Sequence, residues 1–333
     1  MTSSISPRAM GKAGVTGSAI GLGTWAMGGW MWGGTDEQKS IAAIRESIDR
    51  GITLIDTAPA YGLGKAEEIV GKAIAGRRAD VVIATKCGLV WHTDKGNHFF
   101  DEYGKRVHRH LGRSSILHEV EQSLRRLGTD YIDLYITHWQ DPTTPVAETM
   151  ATLLDLKQQG KIRAIGVSNV SPQELEAYLA AGQVDAIQER YSMIDRQIES
   201  TLLPICRQHG VASLSYSSLA LGLLSGKIGP DRSFAGDDLR KGNPRFAPDN
   251  LKRVASFMAE IEPLAKVHRA TRAQIVIAWT IAQPGITYAL CGARDGDQAG
   301  ENAGAATITL TAAELARIDA AIGRHLAPVA AAA

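Results

Sequence analysis

The chain is poor in cysteine, and its three, Cys87, Cys206 and Cys291, lie far apart with no C-x-x-C pair. That excludes a disulfide-stapled secreted scaffold and a structural zinc site built on paired cysteines. No charge of one sign prevails either. Against 36 basic side chains stand 35 acidic ones, a formal net charge of +1, and no basic block occurs. Without that electrostatic footprint a nucleic-acid partner is not expected. Long hydrophobic runs are missing as well. The longest, such as Ile275–Ala282, fall far short of the ~20 residues that span a bilayer. Met1–Met10 is polar where a signal peptide needs an apolar stretch. These absences leave a cytoplasmic protein that engages neither membrane nor nucleic acid.

What is present reads as an ordinary enzyme: 44% hydrophobic and 21% charged residues over 333 positions, enough for one large core. Short β-branched runs alternate with amphipathic patterns. The predicted strands are Ala19–Trp25, Thr53–Thr57, Val81–Lys86, Ile132–His138, Ala164–Asn169, Ala186–Tyr191, Ala212–Ser217 and Thr287–Gly292. The predicted helices are Asp36–Arg50, Ala66–Ala75, Ser115–Leu127, Ala147–Gln159, Pro172–Ala181, Ile198–Gln208 and Arg272–Gln283. Ser171-Pro172-Gln173-Glu174 supplies a helix start with an N1 proline. Gly51, Gly128, Gly160, Gly182 and Gly210 follow helix ends, where a left-handed residue is wanted. Alternating strands and helices imply a parallel sheet. Polar residues sit at the carboxyl ends of strands spread over the whole chain, whereas an open sheet would gather them at one switch point. The expectation is therefore a single-domain α/β protein over residues 1–333, a (β/α)8 TIM barrel, with Ala327–Ala333 a frayed tail. Two long segments, Cys87–Arg113 after the third strand and Ser225–Leu251 after the seventh, are read as loops over the C-terminal face.

Side-chain parity points to a site. Leu54 and Asp56 share a strand face, as do Val82, Ala84 and Lys86, and Ile132, Leu134, Ile136 and His138. Each series is aliphatic until its last member, the pattern of a barrel interior whose upper layer is an active site. Neighbouring strands lie ~4.8 Å apart, so Asp56 and Lys86 can pair, and Tyr61 can bend back over them from a Pro- and Gly-containing turn. A phenol with pKa ~10 is a poor acid–base group at neutral pH. Lowering it to near 7 takes roughly 4 kcal/mol, about what one cation at ~4 Å supplies in an effective dielectric of about 20. Lys86 is the candidate cation, Asp56 the group that keeps it charged, and His138 the group that orients a substrate oxygen. Taken singly, each also has a plain structural explanation as a salt bridge, a core histidine or rim packing.

Two decoys are set aside. Gly21-Leu-Gly23-Thr-Trp-Ala26 matches a dinucleotide fingerprint in form, but no helix follows it. Five histidines fall between His92 and His118, and His108-x-His110 could be offered as a metal pair, yet a Gly-rich segment provides no further fixed donor. No metal is expected.

At these residues the sequence resembles the aldo-keto reductases. Gly51-Ile-Thr-Leu-Ile-Asp56-Thr-Ala-Pro-Ala-Tyr61-Gly62 is similar to the signature around that family's catalytic Asp and Tyr. Ile83-Ala-Thr-Lys86 and Asp133-Leu-Tyr-Ile-Thr-His138-Trp139 are similar to the segments carrying its Lys and His. The resemblance runs from about Gly21 to Leu315, within a bacterial branch of general stress reductases and sugar or polyol dehydrogenases. It implies an NADP(H)-dependent oxidoreductase acting on a small carbonyl or alcohol, as a monomer or weak homo-oligomer, with Tyr61 as proton donor. It also implies that Ser168, Asn169 and Gln188 hold the nicotinamide carboxamide and Tyr216 stacks on its ring. Gly23, Thr24, Trp25 and Asp56 are expected to bind the cofactor as well. Phosphate-binding loops often follow strands seven and eight of a barrel; here these carry Ser217, Leu219, Gly222, Leu223 and Lys227, then Gly292, Arg294, Gln298, Glu301 and Asn302. A guanidinium at Arg294 favours a 2′-phosphate, hence NADP(H). Trp25, Trp91, His138 and Trp139 form the expected substrate pocket. Ala66, Gln140 and Ser218 depart from the family pattern. Two other readings remain beside this one: a lyase with a Schiff base on Lys86, and a non-catalytic nicotinamide-binding subunit that reports redox state.

Overall fold

The computed structural model of the chain describes residues 5–229 and 231–330. Eight parallel strands close into a barrel in chain order: β1 (Ile20–Gly23), β2 (Leu54–Asp56), β3 (Val82–Cys87), β4 (Ile132–Thr137), β5 (Ile162–Ser168), β6 (Ala186–Arg190), β7 (Ala212–Tyr216) and β8 (Tyr288–Gly292). Around them lie α1 (Glu37–Asp49), α2 (Lys65–Ile74), α3 (Arg113–Leu127), α4 (Val146–Gln158), α5 (Pro172–Ala181), α6 (Leu202–His209), α7 (Pro248–Val267) and α8 (Arg272–Ala282).

The period-two pattern decides which side chains enter the barrel. Leu54, Ala84, Leu134, Ile136, Ala164, Ala186, Ala212, Leu214, Tyr288 and Leu290 form one buried cluster inside it. The alternate residues, such as Ile55, Ile83, Tyr135 and Ile165, face the helices in a second, larger core. Eight strands leave an interior just wide enough for such filling, so large residues need small neighbours. A Cβ added at Gly21 would lie 2.7 Å from Leu290 Cδ2, and one at Gly166 2.9 Å from Ile136 Cγ1. The barrel floor is closed by an antiparallel pair, Pro7–Ala9 with Thr16–Ser18, which lays Met10 and Val15 into the interior cluster.

Several expectations need correction. The Cys87–Arg113 segment is not a loop: Leu89–Val90, Lys105–Arg109 and Asn97–Glu102 pair into a three-stranded antiparallel sheet. Its hairpin turns at Tyr103 (φ 47°) and Gly104 (φ 74°), two left-handed residues that match the twist of the flanking strands. The Ser225–Leu251 segment stays irregular through most of its length, but α7 starts inside it at Pro248. Gly182 is extended (φ 171°) where a left-handed cap was expected. Its reason is space, since a Cβ there would stand 2.9 Å from Met150 Cγ on α4. Beyond the barrel, α9 (Gly296–Gly304) packs on α1 and α10 (Ala312–His325) packs on α7. Ala327–Ala330 form a helical turn that buries Val329 instead of fraying; the rest of that tail lies outside the described residues. Among the described residues, no helix is long and apolar enough to cross a membrane.

Candidate active site

Every inward-facing series ends at the C-terminal rim, and the rim is where the polar residues meet. Asp56 closes β2 and Lys86 ends the inward series of β3, both buried. Lys86 Nζ lies 3.0 and 2.9 Å from the two Asp56 carboxylate oxygens, 2.9 Å from the Thr57 carbonyl and 3.2 Å from the Tyr61 hydroxyl. Its ammonium has three protons, and all are engaged by these acceptors. The turn after β2 carries Tyr61 back over the pair, and its ring is set edge-on to His138 with centroids 5.8 Å apart. His138 follows β4; its N–H donates to the Cys87 carbonyl at 2.8 Å, and its own carbonyl accepts from Asn169 Nδ2 at 2.8 Å. The histidine is thus held by backbone on both sides, leaving its ring for the mouth.

The electrostatics differ from the sequence-based expectation. The Tyr61 phenol is pushed well above its ordinary pKa, first by burial and then by the Asp56 charge. It is not brought toward neutral pH. The physical reason is the pairing: Asp56 cancels most of the field of Lys86, so a half-buried phenol sees a nearly neutral ion pair. Burial lowers the Lys86 pKa, and Asp56 opposes that. His138 is held well below its usual value by burial and by Lys86, so its imidazole is neutral.

The remaining expected residues gather around this core. Gln188 Nε2 donates to Asp56 Oδ2 at 2.7 Å, and Ser168 Oγ donates to the Gln188 carbonyl at 2.6 Å. The Tyr216 hydroxyl donates to Asn169 Oδ1 at 2.7 Å. Thr24 is tied by its hydroxyl to the Asp56 carbonyl at 3.0 Å, and the Trp25 ring lies 6.2 Å from that of Tyr61. Gln140, a departure from the family pattern, bridges the Ser168 carbonyl (3.0 Å) and the Tyr178 hydroxyl (2.8 Å); it braces the ends of β4 and β5. Ser218 is buried, with the Leu290 carbonyl 3.4 Å from its hydroxyl.

A dinucleotide fits what lies beside this core. Gly23 and Gly292 are register partners at the ends of β1 and β8. A Cβ at either would meet nothing nearer than 3.8 Å, so two missing side chains leave a flat shelf at the mouth. Past it, Ser217 (φ 61°), Ala220 (φ 48°), Leu221 (φ 58°) and Gly222 (φ 88°) hold the loop that contains Leu219 and Leu223 in left-handed backbone. Exposed Arg294 precedes α9, with its backbone N–H donating to Gln298 at 3.1 Å. Its guanidinium reaches the carbonyls of Trp32 and Gly34 at 3.4 and 3.3 Å. Lys227 pairs with Glu301 at 2.6 Å, and Asn302 donates to the Gly292 carbonyl at 3.0 Å. These cations and the helix start can take phosphates.

The wall expected to face a substrate is more aromatic than the sequence indicates. Trp91 and Trp139 pack with Ala60, Leu63, Leu89, Phe100 and Val107. Phe100 stacks on Trp30 with centroids 5.0 Å apart, and Phe99 meets Trp139 at 5.2 Å. Phe99 and Phe100 were not anticipated. The expected loop Ser225–Leu251 supplies a strap at Asp237–Arg240, whose contacts the sequence did not specify. Met31 N–H donates to Asp237 at 3.0 Å, the Leu239 N–H donates to the Met31 carbonyl at 3.1 Å, and Arg240 sits over the Trp32 ring at 5.4 Å. His110 lies 3.4 Å from Asp141, and His108 is buried in the small sheet. Among the described residues, no three His, Cys, Asp or Glu side chains converge as metal ligands would.

Comparisons with known proteins agree with this geometry. Two curated relatives are aldo-keto reductase YhdN of Bacillus subtilis, 46% identical over 284 residues (84% of this chain, 82% of the relative), and the NADH-specific methylglyoxal reductase of Escherichia coli, 41% identical over 311 residues (92% and 94%). Among solved structures, the glycerol dehydrogenase AKR11B4 of Gluconobacter oxydans superposes with a TM-score of 0.88 at 38% identity (98% and 97% covered). An aldo/keto reductase of Klebsiella pneumoniae in complex with NADP and acetate gives 0.71 at 32% (94% of each). The profile of the Aldo/keto reductase family matches residues 19–322. The chain belongs to that family.

Proposed function

We propose that the protein is an NADP(H)-dependent reductase of an aldehyde or ketone, or the matching alcohol's dehydrogenase, with Tyr61 as the proton donor. The observation that carries this reading is the contact of the Tyr61 hydroxyl with a buried Lys86–Asp56 pair, beside the His138 ring. The nicotinamide, when bound, supplies the hydride to the carbonyl carbon or takes it from the alcohol. The chain's own groups do the rest. Lys86 donates to the Tyr61 oxygen, which leaves the phenol's proton free to point at the substrate. A phenol with a raised pKa is fully protonated at working pH, the state a donor needs. As its proton moves to the substrate oxygen, the developing phenolate sits 3.2 Å from Lys86 Nζ. That contact is worth about 5 kcal/mol at an effective dielectric of about 20, less the opposing Asp56 term, and it strengthens only in the transition state. Neutral His138 donates a hydrogen bond to the same substrate oxygen.

Enclosure of Lys86 and full use of its protons count against a Schiff base there. NADP(H) over NAD(H) is supported by Arg294 at the start of α9 and by the NADP complex of the Klebsiella relative, against the NADH specificity of the Escherichia relative. The substrate class includes small aldehydes, keto sugars and bulkier ketones, with polyols in reverse. The test is an NADPH-oxidation screen over those carbonyls, repeated with Tyr61→Phe. We expect turnover by the wild type and a loss of about 10³-fold in kcat for the variant, with NADPH affinity unchanged. Cofactor binding without turnover of any carbonyl or polyol would instead support a redox-reporting subunit.

A further inference from the structure

The hairpin Asn97–Arg109 reaches the rest of the mouth through two neighbouring side chains. Phe100 stacks on Trp30. Glu102 is only 1% exposed, and neither of its carboxylate oxygens has a hydrogen-bond partner of ordinary geometry. A buried carboxylate in that state is unusual enough to call for a reason. Burial holds its pKa up, and the Gly62 N–H, part of the turn that carries Tyr61, opposes that more weakly. That turn packs closely on its neighbour: a Cβ on Gly62 would lie 2.3 Å from the Gly28 carbonyl oxygen.

No cation offsets the carboxylate. Lys105, its cross-strand register partner, is exposed, and Arg106 lies 3.9 Å from Asp94. On the turn side, Lys65 is spent on Glu37. Tyr103 is next in the chain, with Asp237 acting on it from the strap. The Gly28–Thr35 loop carries no charge. Among the described residues, no ion pair within 4 Å involves Glu102.

We propose that Glu102 is the latch of this hairpin, a positioning residue whose protonated carboxyl seats the aromatic wall against the Tyr61–Gly62 turn and whose ionisation releases it. Burial raises its pKa to about 7, whereas an undocked hairpin returns it to the ordinary value of about 4.3. The sign follows. Docking is complete below the ordinary value and is lost as pH rises toward 7, where the docking constant levels off, having fallen about tenfold per pH unit between the two. If the hairpin forms one wall of the carbonyl site, which rests on the proposed function, the substrate KM rises over the same range while kcat at saturation holds.

The test is amide hydrogen exchange of residues 97–109 in the full chain, corrected for intrinsic rates, from pH 5 to 8.5. Wild-type protection should fall about 40-fold between pH 5 and 7 and level off above, and Glu102→Gln should stay flat. A flat wild-type profile would overturn the proposal, even if the variant does not fold. So would an equal fall in Glu102→Gln. Exchange needs no turnover, so a failed carbonyl screen would leave this result standing on its own.

Discussion

The strand ends and the segments above them solve opposite problems. At the rim of β2 and β3, Lys86 is enclosed and Asp56 nearly so, and each polar side-chain atom of these two has a partner at 2.7–3.2 Å. Above, the hairpin and the strap are held by aromatic stacking, a few backbone contacts and one carboxylate without a partner. A site preorganised by its scaffold loses little entropy on reaching the transition state. Segments with few buried contacts open at low cost. On the proposed function, the rim would fix the reaction and the segments over it would select which molecule reaches it.

That contrast can be broken at either end. The largest effect is expected at the rim. Lys86→Met leaves Asp56 buried without its cation, which should cost about 3–5 kcal/mol of stability in a denaturant titration and remove activity altogether. Retained turnover would place the chemistry elsewhere. A smaller effect is expected at the cofactor loop. Arg294→Ala should raise the KM for NADPH about 10–100-fold, the loss of one bidentate charged contact of about 1.5–3 kcal/mol, and leave that for NADH unchanged. Equal losses for both cofactors would remove Arg294 from phosphate recognition. The smallest is in the scaffold alone. Gly166→Ala would press on Ile136 and should cost about 1–3 kcal/mol of stability, with kcat per folded molecule unaltered. A fall in kcat would mean that the barrel interior is coupled to the rim more tightly than the contrast allows.

The barrel and the polar rim at its C-terminal end were legible because they rest on periodicity. Alternation along a strand is a covalent fact, and it placed Asp56, Lys86 and His138 on the inner face without any knowledge of neighbours. What escaped had weak or contradictory local signals. Helix α7 begins at one proline and holds another, Pro263. Helix α9 contains three glycines in nine residues, a composition that disfavours helix. By contrast, α10 did carry a readable start, the Thr311–Glu314 capping box, and the hairpin a readable turn in Tyr103-Gly104. The resemblance marked Gln188 only for the cofactor, whereas its contact with Asp56 spans 132 residues of chain. The acidity of Tyr61 was misjudged for a different reason. Residue types showed a cation near a phenol and a carboxylate able to pair with it, but the weight of that carboxylate on the phenol, and of the burial that acts first, is set by the three-dimensional arrangement.

The protonation state of that phenol is the most direct test. With tyrosine carrying ¹³C at Cζ, the Tyr61 resonance, assigned by its absence in Tyr61→Phe, can be followed from pH 6 to 10. The expected result is a neutral phenol throughout, with no titration near pH 7. Ionisation around neutral pH would show that Lys86 acts as an uncompensated cation, and would contradict a proton donor kept neutral by burial beside an ion pair.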